Sequence, residues 1–143
     1  MISISLIDEL IKNNTNIILT GSYAAKYYGY NIESKSNDID FLIDSSFTNL
    51  YRIYSVFKKY NPELELKSLL TNCGIRTFII DTNEVIDMFK YSSKSSHINY
   101  YSLYKENEYV IDYFYDIVIK IISLNKLKET VLLNQCSKYK ILL

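Results

Sequence analysis

The sequence predicts a domain of the α/β (α+β) class, in which helices flank a mixed central β-sheet of about four to five strands. Short apolar, β-branched runs alternate with segments whose apolar residues recur at helical spacing. The turn-like trio Asp81-Thr82-Asn83 separates two apolar runs and predicts a β-hairpin. The 143 residues suit one domain, and a hydrophobic share of 48% is ordinary for a globular protein. We therefore expect a single domain over 1–143, with a core over about 1–90 and a helical segment over about 98–143.

Six elements are predicted before the single proline of the chain. Ile4, Ile7 and Leu10 follow the spacing of an amphipathic helix, and Gly29 is placed to cap the end of a second helix. Asn61-Pro62 ends a third helix. In chain order, the predicted elements are helix 3–13, strand 17–19, helix 23–28, loop 30–37, strand 38–43 and helix 47–60.

The rest of the chain is predicted to add three strands and then helices. The alternation of Leu64 and Leu66 indicates the first of these strands, and the predicted hairpin supplies the other two. Beyond Lys90 the chain is rich in tyrosine and serine before it turns helical. The predicted elements here are strands 63–70, 75–80 and 84–89, and helices over about 109–124 and 126–137.

Charge and hydropathy limit the classes of partner. Sixteen basic and sixteen acidic residues cancel, so no overall field attracts nucleic acid or an anionic membrane. No apolar run approaches the roughly 20 residues that span a bilayer, and we expect no membrane partner. Cys73 and Cys136 lack the spacing of a metal or redox motif, which favours a cytoplasmic protein with reduced thiols.

Two carboxylates stand two residues apart in the apolar strand 38–43. Side chains two apart in a strand point to the same face, so Asp38 and Asp40 project together. Carboxylates this close repel each other unless a cation lies between them. Oxygen ligands of this kind suit Mg²⁺, which takes further ligands from water and substrate phosphates. The alternative is that one acid lies in solvent at a strand end and the other is incidental.

Gly21-Ser22 lies where a predicted strand hands over to a helix. Such a junction offers a phosphate backbone N–H groups, a hydroxyl and the positive end of a helix dipole. Glycine also lets the backbone approach a ligand closely. The alternative is that Ser22 is an ordinary helix N-cap.

A third carboxylate, Asp87, lies inside the apolar run 84–89. An unpaired charge in a buried strand is costly, so Asp87 is expected to need a cation. A neighbouring strand bearing Asp38 and Asp40 would complete such a site. The alternatives are that Asp87 faces outward on an edge strand, or that Asp81 is the third acid, although its place in the turn favours a capping role.

The sequence resembles the signature of the nucleotidyltransferase superfamily with the polymerase-beta-like fold. The resemblance lies in Gly21-Ser22, followed by a helix, a loop and Asp38-Ile39-Asp40 in an apolar strand. The later strand bearing Asp87 is similar to the third acidic position of that superfamily. The likeness covers roughly residues 15–90, and the length is similar to that of the minimal nucleotidyltransferases. One departure is the spacing, since 15 residues separate Ser22 from Asp38.

This resemblance implies a reaction and a set of ligands. Asp38, Asp40 and Asp87 would bind two Mg²⁺ (or Mn²⁺) ions, and Gly21 and Ser22 would grip the β/γ oxygens of a nucleoside triphosphate. A nucleoside monophosphate, AMP from ATP, would pass to a hydroxyl of a protein, small-molecule or RNA acceptor, with release of pyrophosphate. Asp87 would be the general base.

Two lysines are candidate nucleotide-binding residues. Lys26 lies one helical turn after the serine, where many small relatives carry an arginine, and the alternative is a solvated surface lysine. Lys120 interrupts an isoleucine-rich run in a segment predicted to be helical, and related enzymes often place a lysine in such a helix. Its alternative is an i,i+4 pair with Asp116.

A second class of function stays open alongside the enzyme. The chain would then be a catalytically silent binding or regulatory protein with the nucleotidyltransferase fold, such as an antitoxin-like partner subunit. In either case a small domain without a substantial acceptor-binding half is expected to form a homodimer or a hetero-complex.

Overall fold

A computed structural model describes residues 4–30, 38–79, 84–92 and 95–134, and its centre is a six-stranded sheet in the order β3-β4-β2-β1-β8-β7. A second sheet contains only β5 and β6. The elements in chain order are α1 (Ile4–Lys12), β1 (Ile17–Thr20), α2 (Gly21–Tyr27), β2 (Ile39–Ile43), α3 (Phe47–Tyr60), α4 (Leu66–Thr71), β3 (Gly74–Ile79), β4 (Glu84–Phe89), β5 (Tyr91–Ser92), β6 (Ser95–Asn99), α5 (Tyr100–Lys105), β7 (Tyr109–Phe114), β8 (Ile117–Ile122) and α6 (Leu124–Asn134).

The large sheet is mixed. β1 pairs antiparallel with β2 and parallel with β8, while β2 pairs parallel with β4. Antiparallel hairpins, β3–β4 and β7–β8, form the two edges. The predicted α+β class with a mixed sheet is therefore confirmed, and the described sheet has six strands where about four to five were expected.

The two faces of β2 differ sharply in what they carry. Ile39, Phe41 and Ile43 point to one face and are at most 2% exposed. They belong to a single core cluster that includes the buried sides of α1 and α3. Asp40 lies between them in sequence and therefore points to the opposite face.

The first part of the chain follows the sequence prediction closely. Helix α1, strands β1 and β2 and helix α3 all lie within two residues of the predicted bounds. The hairpin of β3 with β4 is confirmed by its antiparallel register, in which Ile79 pairs with Glu84. Residues 31–37 of the predicted loop 30–37 and the turn trio 81–83 lie outside the described residues.

Two predicted elements are wrong. Residues 66–71 form helix α4 where a strand over 63–70 was predicted, because Leu66, Leu69 and Leu70 follow helical spacing and Leu69 is buried. The predicted helix over 109–124 is the β7–β8 hairpin, which turns at Tyr115 with a φ of +55°.

The described part of the predicted helical segment, residues 98–134, is correspondingly less helical than expected. Helix α5 precedes the β7–β8 hairpin and helix α6 follows it, covering 124–134 where a helix over 126–137 was predicted. Residues 135–137 lie outside the described part of the chain. None of the helices in the described ranges combines the length and apolar character needed to cross a membrane.

Candidate functional site

A row of polar side chains crosses four strands of the large sheet. Thr20 pairs with Asp40, Asp40 pairs with Asp87, and Asp87 pairs with Arg76, on β1, β2, β4 and β3 respectively. Residues paired in register point to the same side of a sheet. Asp38, two residues before Asp40, projects to this side as well. We call this side of the sheet the acid face.

Arg76 joins two of the three carboxylates. Its Nε lies 2.9 Å from Oδ1 of Asp87, and its Nη2 lies 3.0 Å from Oδ2 of the same residue. The same Nη2 donates to Oδ2 of Asp38 at 3.1 Å. The hydrogen bond to Asp87, followed by the charges of Asp87 and Asp38, raises the pKa of Arg76 above its usual value. The guanidinium therefore binds Asp87 in the bidentate geometry that fixes a carboxylate most strongly.

The turn after β1 packs directly on the third carboxylate. Gly21 has a φ of +72°, a conformation that favours glycine. A Cβ at this position would lie 2.1 Å from Oδ2 of Asp40, so no other residue fits without moving that carboxylate. The Gly21-Ser22 turn thus lies in contact with Asp40 across the β1–β2 pair, as the sequence predicted.

Ser22 is not the N-cap of α2. Thr20 holds that position, and its side chain makes no capping hydrogen bond. Ser22 lies in the first turn of the helix and is 3% exposed. α2 is seven residues long, so its dipole adds little, and the space beside the Gly21 Cα is occupied by the Asp40 carboxylate.

A cavity of about 180 Å³ opens beside this turn and is lined by Thr20, Gly21, Asp40, Leu42, Phe89, Ser92 and Thr130. Leu42 and Phe89 lie two residues beyond the acids on β2 and β4, about 7 Å along the strands. Cavities for whole small-molecule ligands measure about 300 Å³ or more. This cavity therefore has room for part of a ligand, and its lining combines polar side chains with the apolar Leu42 and Phe89.

The two predicted nucleotide-binding lysines do not join this group. Nζ of Lys26 lies 4.7 Å from the centre of the Tyr23 ring. Nζ of Lys120 lies 6.0 Å and 5.9 Å from the ring centres of Tyr100 and Tyr104. Neither lysine lines the cavity beside Gly21.

The alternative suggested for Lys120, a helical ion pair, is wrong. It lies on strand β8 with Ile111 as its register partner, so an i,i+4 pair with Asp116 on one helix face is excluded. Four residues of strand span about 13 Å. Burial lowers the pKa of the Lys120 amine.

The donors of the acid face suit a divalent cation in kind, since carboxylate oxygens are the ligands that Mg²⁺ and Mn²⁺ prefer. Their shared face and adjacent strands also suit such an ion. In the described arrangement, however, Arg76 is the cation of Asp38 and Asp87. Across the described ranges, no three His, Cys, Asp or Glu side chains are gathered as a ready metal-binding group. A metal ion at these acids thus requires Arg76 to move.

A scan against protein-family models found no match, and neither did searches of curated proteins and of solved structures.

Arg76 is the site residue that the sequence prediction missed. The predicted turn could not identify it, because counting back from 81–83 along both strands brings Thr77 opposite Asp87 and Arg76 opposite Met88. In the observed register Ile79 pairs with Glu84, which shifts the pairing by one residue and brings Arg76 opposite Asp87. An arginine inside the apolar strand 74–79 is as unusual as the aspartate inside 84–89.

Proposed function

We propose that the protein is a metal-dependent nucleotidyltransferase, which transfers a nucleoside monophosphate, AMP from ATP, to a hydroxyl of an acceptor. The observation that carries the proposal is the contact of the Gly21 turn with Asp40, whose register partner is Asp87. A strand-to-helix turn, the kind of junction whose N–H groups bind phosphate, thus adjoins carboxylates suited to a cation.

The residues of the acid face have separate roles in this proposal. Asp38, Asp40 and Asp87 would hold Mg²⁺ or Mn²⁺ once Arg76 has moved aside. The backbone at Gly21 and Ser22 would bind the β- and γ-phosphates and fix the α-phosphorus in line with the acceptor oxygen. Bound divalent ions supply charge stabilisation and a lowered pKa for the attacking hydroxyl.

Asp87 would accept the proton of that hydroxyl. The acceptor oxygen then forms a bond to the α-phosphorus, and the bond from that phosphorus to the leaving oxygen breaks. Pyrophosphate leaves with the electron pair of the broken bond. Asp87 is 6% exposed, so few water molecules compete for it.

A second candidate function is favoured by one specific observation. Arg76 forms ion pairs with two of the three carboxylates without any metal, as would suit a protein that no longer uses them for catalysis. The chain would then be a binding or regulatory protein, such as an antitoxin-like partner subunit.

Exposed apolar side chains on the β7–β8 hairpin support a protein partner in either case, as a homodimer or a hetero-complex. Ile111, Tyr113 and Tyr115 are each more than 60% exposed. Surfaces of this kind favour association. A strictly monomeric mass in solution, with full activity, would contradict this part of the proposal.

The test of transfer is incubation with Mg²⁺ or Mn²⁺ and α-labelled nucleotides, alone and with cell extract. We expect the wild type to label an acceptor, and Asp38→Ala and Asp87→Ala each to lower the rate at least about a hundredfold. Asp116→Ala, in the exposed turn of the β7–β8 hairpin, is the matched control and should transfer normally.

Label transfer that survives both substitutions would disprove the assignment. If no nucleotide binds in calorimetry with metal present, the non-enzymatic alternative is favoured. Recovery of the labelled acceptor by mass spectrometry would identify its class.

A further inference from the structure

Arg76 and its two carboxylates differ in their access to water. The side chain of Arg76 is 57% exposed, whereas the side chains of Asp38 and Asp87 are 20% and 8% exposed. A guanidinium that leaves this group is readily hydrated, because most of it already lies in solvent. A buried carboxylate that loses its cation is not, and its charge becomes costly.

The pairing is also built into the sheet. Arg76 and Asp87 are register partners on β3 and β4, so the backbone holds their Cα atoms side by side. Movement of the guanidinium away from Asp87 therefore needs only rotations of the arginine side chain, and no change of strand pairing.

We propose that Arg76 is an exchangeable counter-ion of the acid face, which a divalent cation must displace in order to bind Asp38 and Asp87. The inference rests on the proposed function only in that it places the metal at these acids. Arg76 then sets the metal affinity of the site and balances the negative charge of Asp87 when no metal is bound.

Electrostatics gives the direction of the effect. A fixed positive charge within hydrogen-bonding distance of both carboxylates opposes a second cation there. Removing it should tighten Mn²⁺ binding by about tenfold or more. A lysine keeps the charge but cannot engage both oxygens of Asp87 in the planar fork, so it should compete less well than arginine.

The sequence offers a close control, because Arg52 and Arg76 are its two arginines. Arg52 lies on α3, where its Nη1 donates to the backbone carbonyl of Asn14 at 3.3 Å. Arg52→Gln makes the same chemical change as Arg76→Gln but leaves the acid face intact.

The experiment is titration of the metal-stripped full-length protein with Mn²⁺ by calorimetry, together with melting curves with and without Mn²⁺. We expect Arg76→Gln to bind Mn²⁺ about tenfold more tightly than the wild type. Arg76→Lys should fall between the two, and Arg52→Gln should match the wild type. Without metal, Arg76→Gln should melt at a lower temperature, and Mn²⁺ should raise its Tm more than that of the wild type.

A double variant locates the ion. Adding Asp87→Asn to Arg76→Gln should abolish the gain in affinity, because the carboxylate that Arg76 blocked is gone. A gain that persists in the double variant overturns the inference. Arg76→Lys keeps the test usable if Arg76→Gln does not fold.

Failure of the inference and failure of the proposed function give different results. Unchanged or weaker Mn²⁺ binding by Arg76→Gln, with nucleotide transfer by the wild type intact, overturns only the counter-ion role. Tighter binding without any transfer supports the counter-ion role and removes the enzymatic function. Absence of Mn²⁺ binding in the wild type and every variant overturns both.

Discussion

The two edge hairpins of the large sheet each place a charged residue inside an apolar strand, but the surroundings of the two charges differ. In the β3–β4 hairpin, the register partner of Asp87 is Arg76, and the two form a bidentate ion pair. In the β7–β8 hairpin, the register partner of Lys120 is Ile111, and the amine lies over tyrosine rings. A charge in an apolar strand is therefore not by itself a functional residue. The residues that face it across the sheet decide its role.

The largest expected effect is a difference in transfer rate between a variant of the β3–β4 hairpin and a variant of the β7–β8 hairpin. Asp87→Asn should lower the rate of nucleotide transfer at least about a hundredfold, because the amide cannot accept the proton or bind a cation equally well. Lys120→Met should leave the rate nearly unchanged, since Lys120 makes none of the described contacts to the acid face. Initial rates of label transfer measure both. An equal loss in the two variants would break the comparison and place Lys120 in the site.

The next effect concerns the turn that joins β1 to α2. Gly21→Ala should destabilise the protein by about 1–3 kcal/mol from its positive φ, with a further cost as the new Cβ displaces Asp40. Gly29→Ala is the matched control, because Gly29 has a φ of +91° but no atom within 4 Å of the added Cβ. Urea unfolding of both variants isolates the contribution of Asp40. Equal losses in the two would show that Asp40 relaxes freely, against the close contact seen here.

A smaller change in stability, a gain and not a loss, is expected when Lys120 is replaced. Burial disfavours its charged form in the folded state, so its pKa is lowered. The unfolded chain binds the proton more tightly, and the folded state is penalised at neutral pH. Lys120→Met should therefore raise stability by less than about 1 kcal/mol, as the group is only partly buried.

The lowered pKa of Lys120 also predicts that the stability gain of Lys120→Met depends on pH. The gain from Lys120→Met should shrink as the pH rises toward 10.5, the ordinary pKa of lysine, where the unfolded chain also loses the proton. Denaturant melts at neutral and at alkaline pH measure the change. A gain that grows with pH would contradict the burial argument.

The smallest expected effect concerns the hydrogen bond that links helix α2 to the β7–β8 hairpin. The Tyr27 hydroxyl donates to Asp112, which raises the pKa of Tyr27 to about 12. This bond contributes stability below pH 10 and is lost as the pH rises toward about 12. Ultraviolet difference titration of Tyr27→Phe against the wild type should show one late-titrating tyrosine fewer. An unchanged titration curve would mean that Tyr27 ionises in its ordinary range.

Local periodicity explains what the sequence could predict. The apolar runs around the acids predicted strands β2 and β4, and the two-residue spacing placed Asp38 and Asp40 on one face. The register of the sheet then pairs Asp40 with Asp87. Arg76 escaped notice because its role depends on the register of a hairpin, and the predicted turn at 81–83 gives a register one residue away from the observed one.

The error over 109–124 has a tertiary cause. Ile117–Ile122 is apolar except for Lys120, and such a run fits a buried helix as well as a strand buried between β1 and β7. Nothing near it in sequence indicates that β1 is its partner. Lys120 was assigned to the nucleotide site through that same mistaken helix.

The position of β1 has a consequence for the order of folding. β1 pairs on one side with β2, which follows it by about twenty residues, and on the other with β8, where Leu19 meets Ile121 across 102 residues of sequence. Contacts of such long range form late, because closing a long loop costs more entropy than closing a short one. During synthesis, β1 to β4 can assemble with the acid face already in register. One edge of β1 stays unpaired until β8 has been made. Arg76 compensates Asp87 within a hairpin that closes locally, so the buried charge is neutralised before the sheet is complete.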